Sequence, residues 1–241
     1  MAPGFALAAL TAAAPAALPP RVRRVVLHVP GGPSYERPER RWVFLDPAST
    51  QELWGRGFGA HWIVWTDGSL WPRRPGRGGQ RSWLPAWDRP ADGAARESLA
   101  SEARPVYAHC WGANRDTVGI EVAHTGRRED PFPEAQLRSL AWLLRTLVEM
   151  SEGRLTTTAV LGHKDLDRRP AYASEACERR GCAVFVDGAG RPFRRRVDPP
   201  ESLFAALAAQ GFAVPRAPDA DAELRRAEAL GEGVVPTEAA P

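Results

Sequence analysis

The sequence predicts an α/β fold, a single domain in which a mixed central β-sheet is flanked by helices. Three observations carry this. Short β-branched apolar runs at Val25–Leu27, Thr117–Ala123 and Thr157–Leu161 read as buried strands. Residues 134–150 repeat apolar side chains at helical spacing (Leu137, Leu140, Ala141, Leu144, Leu147 and Val148), so one face of a long helix is apolar. Strands and helices interleave along the chain, as a layered sheet-and-helix architecture requires. At 241 residues, 44% hydrophobic and 25% charged, the chain can bury a core without disulfide staples.

In order, residues 1–20 form an Ala/Pro-rich segment closed by Pro19-Pro20, which reads either as a tail or as a signal segment lacking its positive n-region. Val25–Leu27 begins the body. Residues 47–57 read as a short helix with Asp46 as N-cap and Pro47 in the first position. His61 to Leu70 reads as a hairpin with Thr66-Asp67-Gly68 at the turn. Residues 72–104 are rich in Gly, Pro and Arg, show no period, and read as a long loop or insertion. Val106–Ala108 reads as a short strand and Thr117–Ala123 as a better one. Pro133 and Glu134 suit the start of the long helix, and Gly153 its stop. Cys182 to Arg196 reads as a second hairpin turning at 187–190, and 200–209 as a short helix after Pro199-Pro200. Residues 213–241 are acidic and Ala-rich and read as a peripheral or disordered tail, in which 219–230 could form a short helix.

The formal charge is +3, from 32 basic and 29 acidic residues, a balance that argues against a nucleic-acid binder. A nucleic-acid reading through the arginine-rich loops at 73–81 and 191–196 would require steeply salt-dependent binding; the plainer reading of those loops is solvated surface. No apolar stretch has the character of a transmembrane segment. Cys110, Cys177 and Cys182 are too few for a disulfide scaffold. Cys177 and Cys182 are close enough in sequence to bridge, which suits an oxidising compartment.

Two of the five histidines end apolar strands: His28 closes VVLH and His163 closes AVLGH. Open α/β sheets bind ligands beyond their strand ends, and imidazole is a common zinc ligand. From the pattern alone, metal ligands and hydrogen-bonded structural histidines both remain open. A catalytic zinc site needs a third protein ligand. Asp198, in RRRVDPP, is a candidate; a turn aspartate before a helix is the plainer reading. Glu121 sits inside the apolar strand VGIEV, where a carboxylate is costly unless it is paired or lines a cleft. The cleft is favoured, because Ile120 and Val122 point the other way.

Several motifs, in order, resemble the type-2 N-acetylmuramoyl-L-alanine amidases, relatives of the peptidoglycan recognition proteins and phage amidase lysozymes. They are VVLH at 25–28, GAHWIVWTDGSLW at 59–71, HCWGANRDTVGIEV at 109–122, FPEAQLRSLAWLL at 132–144, LGHKDL at 161–166 and RVDPPESLF at 196–204. The resemblance implies a zinc amidase domain over 21–212, with long insertions at about 72–104 and 167–195. It implies zinc (Zn2+) held by His28, His163 and Asp198, Glu121 as general base or water-orienting residue, and Arg196 as the cation that polarises the substrate carbonyl. His109 and Asn114 would line the substrate groove. The implied reaction cuts the amide between N-acetylmuramic acid and L-alanine in peptidoglycan or muropeptides.

The sequence departs from the family in places. Arg196 stands where many members carry lysine, and Ala60 where many carry tyrosine before the hairpin histidine. The segment between the last two metal positions is longer than usual and contains Cys177 and Cys182. Either could compete with Asp198 as ligand; Asp-Pro and the following Ser-Leu-Phe favour Asp198, leaving the cysteines to close a small disulfide loop. A peptidoglycan-binding module on the same fold, without catalysis, is the alternative. The expected protein is a monomer acting in the periplasm or outside the cell, or on recycled muropeptides in the cytoplasm.

Overall fold

The computed structural model describes residues 16–29, 59–74, 81–110, 112–124, 131–166 and 199–212, and the backbone of 168–170, 182–186 and 192–196. The helices expected at 47–57 and 219–230, the tail beyond 212, and Cys177 lie outside these residues, and Cys182 is described by its backbone alone.

The central sheet has five strands: β1 (Arg24–His28), β2 (Trp62–Val64), β3 (Leu70–Pro72), β4 (Thr117–Val122) and β5 (Val160–Gly162), in the order β3-β2-β4-β1-β5. Strands β2, β4, β1 and β5 are parallel, and β3 runs antiparallel to β2. The sheet is therefore mixed, as the interleaved pattern predicts. The parallel strands end together at one sheet edge, which places His28 and His163 side by side although they are distant in sequence.

The helices are α1 (Gly93–Ala103), α2 (Glu134–Met150), the short α3 (His163–Leu166) and α4 (Glu201–Ala209). Leu140, Leu143, Leu144 and Leu147 of α2 pack with Leu27, Trp62, Leu70 and Ile120 of the sheet in one continuous core, all buried. Each large apolar side chain buried in this layer contributes ~1.5–3 kcal/mol. Polar contacts fix its register. Gln136 Nε2 donates to the carbonyls of Val64 (2.9 Å) and Ala123 (2.6 Å), tying α2 to β2 and the end of β4. The hairpin turn is clasped by the same helix, because Ser139 Oγ donates to Gly68 O at 2.5 Å. Gly68 has φ +87° and would bring a Cβ within 2.8 Å of Ala135 O, so the turn needs glycine on both counts.

The first described residues are already packed. Leu18 is buried, its amide donates to Met150 O at 3.0 Å, and Arg154 donates to its carbonyl at 2.7 Å. Arg21 then gathers the carbonyls of Ala103 and Pro105 (2.5 Å each) with those of Arg115 and Thr117, fastening the entry of β1 to the loop that precedes β4.

Three expectations differ from the structure. The stretch 72–104 contains α1, whose buried face is mostly alanine around Leu99 and so gives a weak apolar signal; its local mark is Asp92, whose side chain accepts from Ala95 N at 2.8 Å as an N-cap. Val106–Ala108 forms no named strand. Thr157–Ala159 is a 3-10 turn, and β5 begins only at Val160. The second hairpin forms as expected: β7 (Cys182–Val186) pairs antiparallel with β8 (Pro192–Arg196), and β6 (Arg168–Pro170) adds to β8.

Candidate active site

Alternation along the strands gives the sheet a second face. Val25, Leu27, Val118, Ile120 and Val122 point into the helix-packed core. Val26, His28, Thr117, Gly119 and Glu121 point the other way. In-register neighbours share a face, so His28, Glu121, Ile63 and Trp71 form a row across four strands. Glu121 is half-buried in this row beside His28. Ile120 and Val122 are buried behind it, so its side chain lies on the face opposite the core, as the alternation predicts.

His163 follows β5 directly and opens α3. Its Nδ1 lies 3.0 Å from His28 Nδ1, and both rings are buried. Gly162 leaves room for α4 and for the turn that follows it: a Cβ there would come within 2.7 Å of Phe204, 2.9 Å of Asp165 and 3.0 Å of Pro199. The Gly162 amide donates to Asp165 Oδ2 at 2.8 Å, which anchors the strand-to-helix turn. Lys164 turns away to pair with Glu201 of α4 and lies 5.3 Å from the Phe204 ring centroid.

The loop before β4 brings a third imidazole. His109 Nδ1 lies 3.0 Å from His28 Nε2, and His109 Nε2 lies 3.1 Å from Thr117 Oγ1. Asn114 holds this loop closed; its Oδ1 accepts from the amides of His109 (2.9 Å) and Cys110 (2.7 Å). Burial, with the neighbouring His163 second, pushes the His109 imidazole down to about 3, so it is neutral at neutral pH. His61 lies behind it, fully buried. Its Nδ1 accepts from Gly119 N at 3.0 Å, and burial first, then His109, hold it well below the usual histidine range. His61 is thus a sheet-packing residue. His124 stacks on Phe132 just beyond β4, with ring centroids 3.9 Å apart.

Below this cluster lies a buried acid. Glu102 of α1 sits with Tyr107, Arg73 and Arg74, and Arg73 stacks 4.0 Å from the Tyr107 ring centroid. Burial raises the Glu102 carboxyl to about 7, against the pull of the Tyr107 hydroxyl, the Arg74 amide and both guanidiniums. Burial also raises the Tyr107 phenol, with the Glu102 charge second.

The structure therefore brings His28, His163, Glu121 and His109 to one edge of the sheet, and places Asn114 on the loop that carries His109. Arg196 is the last residue of β8, with its backbone alone described, and Asp198 lies outside the described residues. Among the described residues no group of three His, Cys, Asp or Glu side chains is placed to hold a metal. The two facing imidazoles nonetheless fit a zinc ion as part of its ligand set. A tetrahedral ion with Zn–N of about 2.0–2.1 Å holds two nitrogens about 3.3 Å apart, close to the separation of the Nδ1 atoms. Sequence reasoning missed Thr117 and Gly119 as parts of this face. For Gly119 the signal was a glycine inside a strand, which marks a close approach; a Cβ there would come within 2.6 Å of His109 Nδ1. Thr117 gives no such signal in a β-rich run.

Among the described residues no helix is long and apolar enough to cross a membrane. No curated protein sequence matches the chain. Among solved structures, it is similar to AmpDh3 from Pseudomonas aeruginosa (TM-score 0.43, 17% identity, covering 96% of this chain and 75% of that one). It is also similar to the N-acetylmuramoyl-L-alanine amidase LysC from Clostridium intestinale URNW (0.39, 18%, 79% and 89%). A third likeness is to the amidase AmiD from E. coli, solved with the substrate anhydro-N-acetylmuramic acid-L-Ala-D-gamma-Glu-L-Lys (0.40, 19%, 86% and 64%). The family model for N-acetylmuramoyl-L-alanine amidase matches residues 18–180, more than half of the chain and a span that contains His28, Glu121 and His163. The chain belongs to the N-acetylmuramoyl-L-alanine amidase family.

Proposed function

We propose that the protein hydrolyses the amide between the lactyl group of N-acetylmuramic acid and the L-alanine of the stem peptide, in peptidoglycan or muropeptides, with a zinc ion held by His28, His163 and Asp198. The observation that supports this most is the pair of buried imidazoles facing each other at 3.0 Å, with Glu121 in register beside His28, in a chain of the amidase family. Pro199, which follows Asp198, would lie 3.0 Å from a Cβ on Gly162, the residue before His163; this contact favours Asp198 as the third ligand.

When bound, zinc supplies Lewis acidity at the amide carbonyl and lowers the pKa of water towards ~7. The chain's own residues then handle the protons. Glu121 accepts a proton from the attacking water as its oxygen bonds to the carbonyl carbon. It returns that proton to the nitrogen of L-alanine as the C–N bond breaks, giving a lactyl carboxylic acid and a free amine. Arg196 stabilises the charge developing on the carbonyl oxygen. It cannot donate a proton, since its guanidinium stays protonated. His109 and Asn114 shape the wall of the groove through the loop they share. The polymer would be met in the periplasm or outside the cell, and soluble muropeptides in the cytoplasm.

The test is mass spectrometry of purified peptidoglycan and of soluble muropeptides after incubation with zinc-loaded protein. The expected products are stem peptides with a free N-terminal alanine, absent with Glu121→Ala. Release from soluble muropeptides alone would narrow the substrate to that form. A zinc-loaded protein that binds peptidoglycan and releases no stem peptide would contradict hydrolysis and identify a recognition module.

A further inference from the structure

The hydrogen bonds behind His28 start from a group whose role is fixed. Ala113 O is a carbonyl and only accepts. Thr117 Oγ1 lies 2.6 Å from it and therefore spends its single proton there. The Thr117 oxygen is left with lone pairs, so His109 Nε2, 3.1 Å away, must donate to it. In a neutral ring this makes His109 Nδ1 the acceptor. His28 Nε2, 3.0 Å from that atom, must then carry the proton. In a neutral His28 ring the lone pair is thereby left on Nδ1, the atom that faces His163.

We propose that Thr117 and His109 are positioning residues that set the tautomer of His28, keeping its Nε2 proton on His109 and its Nδ1 lone pair on the side of His163, where an ion would take the place of the contact between the two rings. This rests on reading His28 as a zinc ligand, and it extends that reading two residues outward. Several local features serve the same end. Thr117 is fully buried, so water does not compete for its hydroxyl. Asn114 fixes the backbone of His109. Gly119 leaves the space that the His109 ring occupies. A ligand imidazole whose other nitrogen is fixed by a hydrogen bond is held in one orientation and made more basic; loss of such a partner typically weakens metal binding about 10–100-fold.

The experiment combines histidine 15N NMR of the metal-free full chain with zinc affinity by chelator competition, on wild type, Thr117→Val and Thr117→Ser. Wild type is expected to show Nε2–H tautomers at both His109 and His28. Thr117→Val removes the acceptor with little change of shape, and should mix the His109 and His28 tautomers and weaken zinc binding about 10–100-fold. Thr117→Ser keeps the hydroxyl and should restore both readouts, which a purely packing role of the threonine methyl would not do. An Nδ1–H proton on His109 in wild type would overturn the proposal, whether or not the valine variant folds. So would a folded Thr117→Val protein with wild-type tautomers and wild-type zinc affinity. If folded wild type shows the predicted tautomers and binds no zinc, the relay stands and the reading of His28 as a ligand fails.

Discussion

Strand β4 shows two faces of one sheet held to different rules. Val118, Ile120 and Val122 enter a core shared with α2, while Thr117, Gly119 and Glu121, alternating with them, enter the site. On the first face the requirement is volume and apolarity, which many side chains meet at similar cost. On the second face each position has its own requirement: a hydroxyl at Thr117, no side chain at Gly119, a carboxylate at Glu121. Stability and chemistry are therefore separable on this strand by moving a single residue along it.

The largest effect is expected from Glu121→Ala. Removing the proposed general base should lower amide hydrolysis about 10²–10⁴-fold, measured as turnover on a muropeptide, with the thermal transition nearly unchanged. The adjacent change Ile120→Ala should do the reverse. It should cost about 2–5 kcal/mol in denaturant unfolding, with activity per folded molecule retained. If the two variants show the same profile, the faces are not separable.

A buried group away from both faces sharpens the comparison through pH. The Glu102 carboxyl is raised from 4.5 to about 7, so the folded state holds its proton more tightly than the unfolded chain. This contribution is fully present below pH 4.5 and is lost as pH rises through 7, falling by about 3 kcal/mol across that window. Glu102→Gln should flatten that fall in unfolding curves recorded from pH 4 to 8; an unchanged slope would place its origin elsewhere. Gly119→Ala is expected to cost less stability than Ile120→Ala, about 1–3 kcal/mol, because the His109 ring must shift. Its mark should be weaker zinc binding, measured by chelator competition, out of proportion to the stability lost.

The parts legible in the sequence were those with a period. The alternation in Thr117–Val122 placed Glu121 opposite the core, and helical spacing gave α2 with both of its ends. His28 was legible as a strand end, and His163 as a residue at the end of another, although the structure closes β5 at Gly162 and opens α3 with His163. Helix α1 was not legible, since its buried face is a single leucine, Leu99, among alanines and the charged Glu102, and only Asp92 marks its start. The contact between His28 and His109 was not legible either, because it joins residues 81 positions apart through a loop without periodicity. The role of Thr117 depends on that contact. Asp198 and Arg196 rest on their motif, with Pro199 against Gly162 as the neighbouring structural support.

If the polar face holds a metal between the ends of β1 and β5, as proposed, calorimetric titration of zinc into the metal-free protein will show it. Wild type should take up one ion per chain, and folded His163→Ala should show no saturable binding. A folded wild type that takes up no zinc, or a His163→Ala protein that binds it as well as wild type, would rule out a metal held by these histidines.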